Sequence, residues 1–141
     1  MVAYNKFNQF VQDLGIANIN LNSDTFKVML TNTAPVATNH YYSDISANDL
    51  STANGYTAGG TAATITSWTN SSGTSKWILQ QVVFTATGAV GPFRYAALYD
   101  STPASNKTLI AWWDYGSSVT LANGDTFTVA FDGTNGVFTI A

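Results

Sequence analysis

Hydrophobic positions change their period once along this chain, and the change divides it. Near the start, Tyr4, Phe7, Phe10, Val11 and Leu14 recur at three- and four-residue intervals with polar residues between them, the spacing of an amphipathic helix. That predicts a helix over 1–15, with Gly15 placed to end it in the left-handed conformation. From Asp24 the period becomes two. Phe26, Val28 and Leu30 alternate with Lys27 and Met29, as in a strand with one buried face. Further strands are predicted over 61–69, 75–86, 93–99, 108–113, 118–121, 126–131 and 137–140, with turn residues such as Asn123-Gly124 between them. The cleanest alternation lies over 126–131, where Phe127, Val129 and Phe131 face one way and Thr126, Thr128 and Ala130 the other.

Short strands separated by turns, with no helical pattern between them, favour antiparallel pairing over a parallel crossover fold. The expected architecture is mainly β: an antiparallel β-sandwich or barrel-like domain over 24–141, preceded by the short N-terminal α-helix. The whole, 1–141, reads as a single domain. One stretch resists the pattern. Residues 31–60 hold Pro35, Asn54-Gly55 and Gly59-Gly60 with little periodicity. Thirty such residues are unusual in a compact domain and mark a partner-contacting or functional excursion. Its "NGYTAGGT" segment reads as a flexible turn.

Composition narrows the function classes. Charged residues are 9% of the chain and the net charge is -3, the wrong balance for a nucleic-acid groove, which needs clustered Lys and Arg. There is no cysteine, so neither disulfides nor thiolate metal sites are expected. All eight acidic residues are aspartates, mostly beside Gly, Asn or Ser, where short carboxylates bond neighbouring backbone. No signal peptide or bilayer-spanning run is expected, so the chain is expected to be made in the cytoplasm. The surface reads as neutral and hydroxyl-rich, suited to packing against copies or partners.

Candidate chemistry is sparse, and no catalysis or cofactor is expected. Trp112-Trp113-Asp114-Tyr115 is the most conspicuous run. Neighbours on a strand face opposite ways, so one indole belongs to a core and the other faces out or is covered. Structural packing, partner contact and a sugar subsite all remain open for it. Glycosidase chemistry needs two spaced carboxylates; Asp100 and Asp114 flank one loop but sit where turn-capping aspartates belong. His40, the one histidine, lies in a polar loop and reads as exposed. "DISAND" at 44–49 has alternating oxygens but lacks the glycine and glutamate of a calcium loop, and reads as a turn with a helix cap. Tyr41 and Tyr42, adjacent in the excursion, are the stronger candidates, because exposed tyrosines are frequent interface hot spots.

In order along the chain, "YNKFNQFVQDLG", "FKVMLTNTAPVATN", "NGYTAGG", "GPFRYAALYD", "LIAWWDYGSSVTL" and "GDTFTVAFD" resemble a family of small structural proteins of tailed bacteriophages. The resemblance covers nearly the whole chain and implies a virion component, foremost a head decoration, or cement, protein on the capsid surface. The implied partners are the major capsid protein and other copies of the chain in a homotrimer, with no nucleic acid and no membrane. On this expectation Tyr4 and Phe7 of the N-terminal segment, with Tyr41 and Tyr42, carry the contacts, and removal of 1–14 leaves a soluble fold. The alternatives are a tail or head-fibre module binding host glycan, marked by an outward Trp112 or Trp68, and a tail component.

Overall fold

The computed structural model describes residues 2–141. Its strands are β1 (Tyr4–Lys6), β2 (Phe26–Thr31), β3 (Thr61–Ala63), β4 (Ile65–Ser71), β5 (Thr74–Leu79), β6 (Val82–Thr85), β7 (Val90–Asp100), β8 (Leu109–Leu121), β9 (Thr126–Val129) and β10 (Phe138–Ile140), with one helix, α1 (Phe10–Gly15). Every pairing between these strands is antiparallel. A five-stranded sheet in the order β1-β8-β7-β2-β3 is faced by the smaller sheets β10-β5-β4 and β6-β9. The expected mainly-β, sandwich-like architecture is what forms.

The main core lies between these layers. Phe26, Val28, Leu30, Ala96, Leu98 and Ile110 from the large sheet meet Trp77, Leu79, Val82 and Phe84 from the small ones. Trp77 is fully buried, packs edge-on against Phe26 at 4.7 Å, and donates its indole N–H to the Leu21 carbonyl at 2.9 Å. That bond satisfies the one polar atom of a large apolar side chain. Complete burial of such residues is worth about 1.5–3 kcal/mol each.

The N-terminal expectation is corrected. Residues 4–6 are a strand, in register Tyr4↔Trp113 to Lys6↔Ala111 with β8, and the helix begins only at Phe10. The aromatic spacing fits a helix locally, but edge pairing along β8 supplies backbone partners that a short isolated helix lacks. Gly15 does not take the left-handed cap; Ala17 does, at φ 61°. Phe10 packs on Phe138 at 5.2 Å and seats the helix on β10, while Val11 faces out, 55% exposed. With Phe7 and Phe10 both buried, the segment from Phe7 to Leu14 is part of the fold and not a detachable arm; Met1, included in the expected helix, lies outside the described residues.

Strand boundaries also shift. Predicted strand 61–69 divides at Thr64, and 75–86 divides at Gln80-Gln81. By contrast, 108–113 and 118–121 join into one long β8, which passes through Gly116 at φ +98°. Glycine there gives the strand a bend that no side chain opposes.

The excursion 31–60 folds back over the outer face of the large sheet. Phe7, Met29, Ile45, Ala97, Tyr99 and Leu109 form a second, smaller core there, with Tyr42 and Trp112 packed against it. The centre of the large sheet, β2, the end of β7 and the start of β8, is therefore buried on both faces. Met29, expected to face out, is fully enclosed beneath the excursion.

Candidate functional site

Three polar clusters and one open channel are the features with chemical capacity. The first cluster centres on Asp49. One carboxylate oxygen accepts from the Tyr56 hydroxyl at 2.5 Å; the other accepts from the Tyr42 hydroxyl at 2.8 Å and the Gly59 N–H at 2.5 Å. Tyr42 lies flat on Tyr99, with ring centroids 4.6 Å apart, and the Tyr99 hydroxyl donates to the Gly59 carbonyl at 2.7 Å. Burial, followed by the Asp49 carboxylate, pushes the Tyr42 and Tyr56 phenols above their ordinary value and the Tyr99 phenol up to about 12. All three hydroxyls stay protonated donors at neutral pH.

The position of this cluster explains its chemistry. Strand β3 pairs with β2 only over Phe26–Val28, so the sheet runs out of partner beside Leu30. There the Leu30 N–H donates to the Tyr56 hydroxyl at 3.0 Å, and the Leu30 carbonyl accepts from Leu50 N–H at 3.2 Å. Tyr56 thus stands in for a missing strand and donates its own hydroxyl hydrogen bond to Asp49. Buried main-chain groups are costly when unpaired, and the excursion supplies their partners. Gly60 is wedged into the same corner. A Cβ there would lie 1.8 Å from the Val28 carbonyl oxygen, so this turn, read as flexible from sequence, is fixed by close backbone contact.

The second cluster joins the excursion to the helix. The His40 Nε2 lies 2.7 Å from the Asp13 carboxylate, which also accepts from the Asn18 side-chain amide at 3.0 Å. His40 is half-buried, not the exposed loop residue expected, and Tyr41 stacks on its ring at 3.8 Å. Asp44 accepts from the His40 and Tyr41 N–H groups, and these bonds hold its carboxyl below the usual range. "DISAND" begins at the end of one 3-10 turn, Tyr42–Asp44, and contains a second, Ser46–Asn48.

The third cluster surrounds Asp100, which is completely buried beside Phe26. One of its oxygens accepts from Thr102 N–H at 2.8 Å; the other has no hydrogen-bond partner among the described residues. Burial pushes this carboxyl up to about 6, and nearby Asp24 adds a like charge. Asp114 belongs to a different environment. It takes a two-pronged contact from the Arg94 guanidinium, at 2.7 and 2.9 Å, and the Gly116 N–H at 2.8 Å, which together hold its carboxyl low. Asp114 is opposite Tyr95 on β7, five residues from Asp100, or about 17 Å along a strand. That is too far apart for the paired carboxylates of glycoside hydrolysis.

The conspicuous tryptophans separate as strand geometry requires. Trp112 packs on Phe7 at 4.6 Å beneath the excursion, while Trp113 turns to the opposite face against Tyr4 and Phe131, at 6.0 and 5.5 Å. Trp113 is the one that borders open space: a channel of about 700 Å³ lined by Tyr4, Ala96, Trp113, Tyr115, Phe127 and Phe131, among others. Of the four partner-contact candidates, Tyr4 lies in this channel at 37% exposed, and Phe7 is at 0% and belongs to the smaller core. Tyr41 and Tyr42 are half-buried, each stacked on a neighbouring ring. The structure does not bring Tyr4 together with the tyrosine pair.

Sequence reasoning missed Asp49, Asp13 and Tyr56. Asp49 meets Tyr42, Tyr56 and Gly59 within the same excursion, where no regular period foretells which side chains converge. Asp13 meets His40, and Tyr56 meets Leu30, from distant segments. The one local signal was a run of tyrosines and aspartates inside a stretch otherwise short of structure. Comparison with protein-family models, with curated proteins and with solved structures gives no match for this chain.

Proposed function

We propose that this chain is a virion structural protein of tailed bacteriophages, a head decoration protein that binds the major capsid protein as a homotrimer and performs no catalysis. It is made in the host cytoplasm and ends on the capsid surface. The sequence resemblance supplies the family. The observation that carries the reading is that Asp49, with its tyrosines, is spent on holding a thirty-residue excursion against the sheet. Its carboxylate is enclosed by three donors and serves to fix a shape. A particle-stabilising protein needs a rigid neutral body that offers many weak contacts, which lattice symmetry multiplies.

Within this reading the N-terminal edge strand and the excursion remain the contact surfaces, with Tyr4 and Tyr41 their aromatic tips. Phe7 acts only through the fold, and Tyr42 has its ring face covered by Tyr99. For the glycan alternative, both marker residues are half-buried: Trp112 packs on Phe7 and Trp68 lies beside Phe138 at 6.4 Å.

The test is the location and copy number of this chain in purified virions, by quantitative mass spectrometry and electron microscopy with a labelled antibody. Hundreds of copies spread over the head are expected. A handful at the tail tip or at one vertex overturns the decoration reading in favour of a tail or fibre component.

A further inference from the structure

We propose that the channel beside β9 is a docking site for an extended, uncharged apolar segment of a partner protein, which enters as an added strand on β9. Nothing in this site requires the virion reading.

Charge defines the occupant first. The ionic groups of the channel already have partners: Arg94 and Asp114 hold each other, and Asp132 accepts from the Thr134 and Asn135 N–H groups and the Asn135 side-chain amide. Among the described residues the one carboxylate of the channel without a cationic partner, Asp132, is already held by three N–H donors, and the walls are predominantly apolar, with five aromatic rings among them. Val2, Tyr4 and Tyr115, all on this channel, are among the large apolar side chains most exposed on the molecule, Tyr115 at 51%.

Main-chain hydrogen bonding defines it further. The Asp125 carbonyl accepts from Ala86 N–H at 2.9 Å, and β9 pairs antiparallel with β6 from Thr126↔Thr85 to Val129↔Val82. In an antiparallel ladder alternate residues bond the partner, so Phe127 and Val129 turn their main-chain groups to β6. Thr126, Thr128 and Ala130 turn theirs outward. Among the described residues, no hydrogen bond from outside β6 reaches 126–131. This edge, the four-residue β9 running on into Ala130 and Phe131, is short but carries no Lys, Pro or bulge, which are among the devices that protect an open edge from pairing. An edge with alternating residues beside apolar pockets is what strand addition uses.

Space limits the occupant to one strand. Phe127 meets Phe93 of β7 at 4.8 Å and Tyr115 of β8 at 5.4 Å, and Phe131 meets Trp113 at 5.5 Å. Strand β9 therefore lies above the β7–β8 boundary. Beyond it, β8 and β1 continue as an uncovered floor, with Val2 to Tyr4 at the far side. With strands about 4.8 Å apart, that floor takes one added strand. A second copy approaching through its own β9 brings its five-stranded sheet into the place β8 and β1 already fill.

The probe is a capped peptide, Thr-Phe-Thr-Val-Ala-Phe with a lysine at each end for solubility, titrated into the isotope-labelled chain and followed by amide NMR. The largest shifts are expected at Thr126, Thr128 and Ala130, with slowed hydrogen exchange there and a change in Trp113 fluorescence. The same peptide N-methylated at alternate residues should bind at least about tenfold more weakly, since main-chain donors carry the affinity. Tyr115→Glu places a charge in the channel, and Thr128→Pro removes one outward donor where an edge tolerates proline. Each should weaken binding about tenfold or more with a wild-type melting temperature, and if one does not fold the other decides. No shift at about 1 mM peptide, or equal binding of the N-methylated peptide, overturns the assignment. So does a concentration-dependent dimer mapping to the same amides, which puts a second copy on this edge.

Discussion

Replacing Asp49 separates a structural latch from an incidental cluster. Its carboxylate receives two phenol protons and one main-chain N–H at 2.5–2.8 Å. Hydrogen bonds to a charged acceptor are worth about 1.5–3 kcal/mol each. Asp49→Asn keeps one acceptor oxygen, loses the charge and turns an amide N–H toward a former donor. One bond is lost and the other two weaken by about half, a cost of about 3 kcal/mol. Asp49→Ala leaves all three donors without acceptors and should cost about 4–5 kcal/mol, against a total stability of about 5–15 kcal/mol. Urea unfolding followed by tryptophan fluorescence measures both. A double-mutant cycle with Tyr42→Phe isolates one arm and should give a coupling of about 1–2 kcal/mol. Tyr56→Phe should cost more than Tyr42→Phe, because it also strands the buried Leu30 N–H. The latch is refuted if Asp49→Ala costs under about 1 kcal/mol or the cycle shows no coupling.

Two further outcomes follow from the same packing. The Asp100 carboxyl, raised to about 6 by burial, binds its proton more tightly in the folded chain than in the unfolded one, whose carboxyl has its ordinary value near 4. Stability therefore falls as pH rises from about 4 to 6, and Asp100→Asn should flatten that slope and stabilise the protein by about 1–2 kcal/mol at pH 8, read from denaturation at several pH values. Gly60→Ala must displace the Val28 backbone and should cost about 3 kcal/mol or more, whereas Gly133→Ala, with no atom within 4 Å of the new Cβ, should leave the denaturation midpoint nearly unchanged.

Strands that bury one face were legible from residue order, and those buried on both were not fully so. The alternation at 126–129 matches the observed order of exposed Thr126 and Thr128 with inward Phe127 and Val129. In β2 the same rule put Met29 outside, because nothing local reveals that residues 31–60 return to cover that face. The N-terminal misreading has a related cause. Tyr4, Phe7 and Phe10 satisfy a helical spacing, but the competitor that wins, β8, begins about a hundred residues later. The joining of 108–113 to 118–121 was hidden by Gly116, which punctuates a turn as readily as it bends a strand. Of the candidate contacts, the exposed edge position of Tyr4 is compatible with its expected role, while Phe7 was indistinguishable from it by sequence alone.

Double-sided burial of the centre of the large sheet also limits where this molecule can meet another. One face is spent on the main core, and the other on the excursion that Asp49 and the Asp13–His40 contact hold down. Had the excursion been loose, it would itself be the natural binding arm. Fixed by backbone contacts at Gly60 and by the tyrosine hydroxyls, it instead presents a set surface and shields Met29 and Tyr99 from solvent, with Trp112 partly covered. The sizeable uncovered apolar surface then lies where the second layer stops short of β8 and β1. Releasing the latch and filling the channel are therefore opposite perturbations: Asp49→Ala should expose new apolar surface on the far side of the sheet without changing peptide binding at β9. If Asp49→Ala abolishes that binding in protein that is still folded, the two faces are coupled through the sheet, and treating the channel as a separate site is wrong.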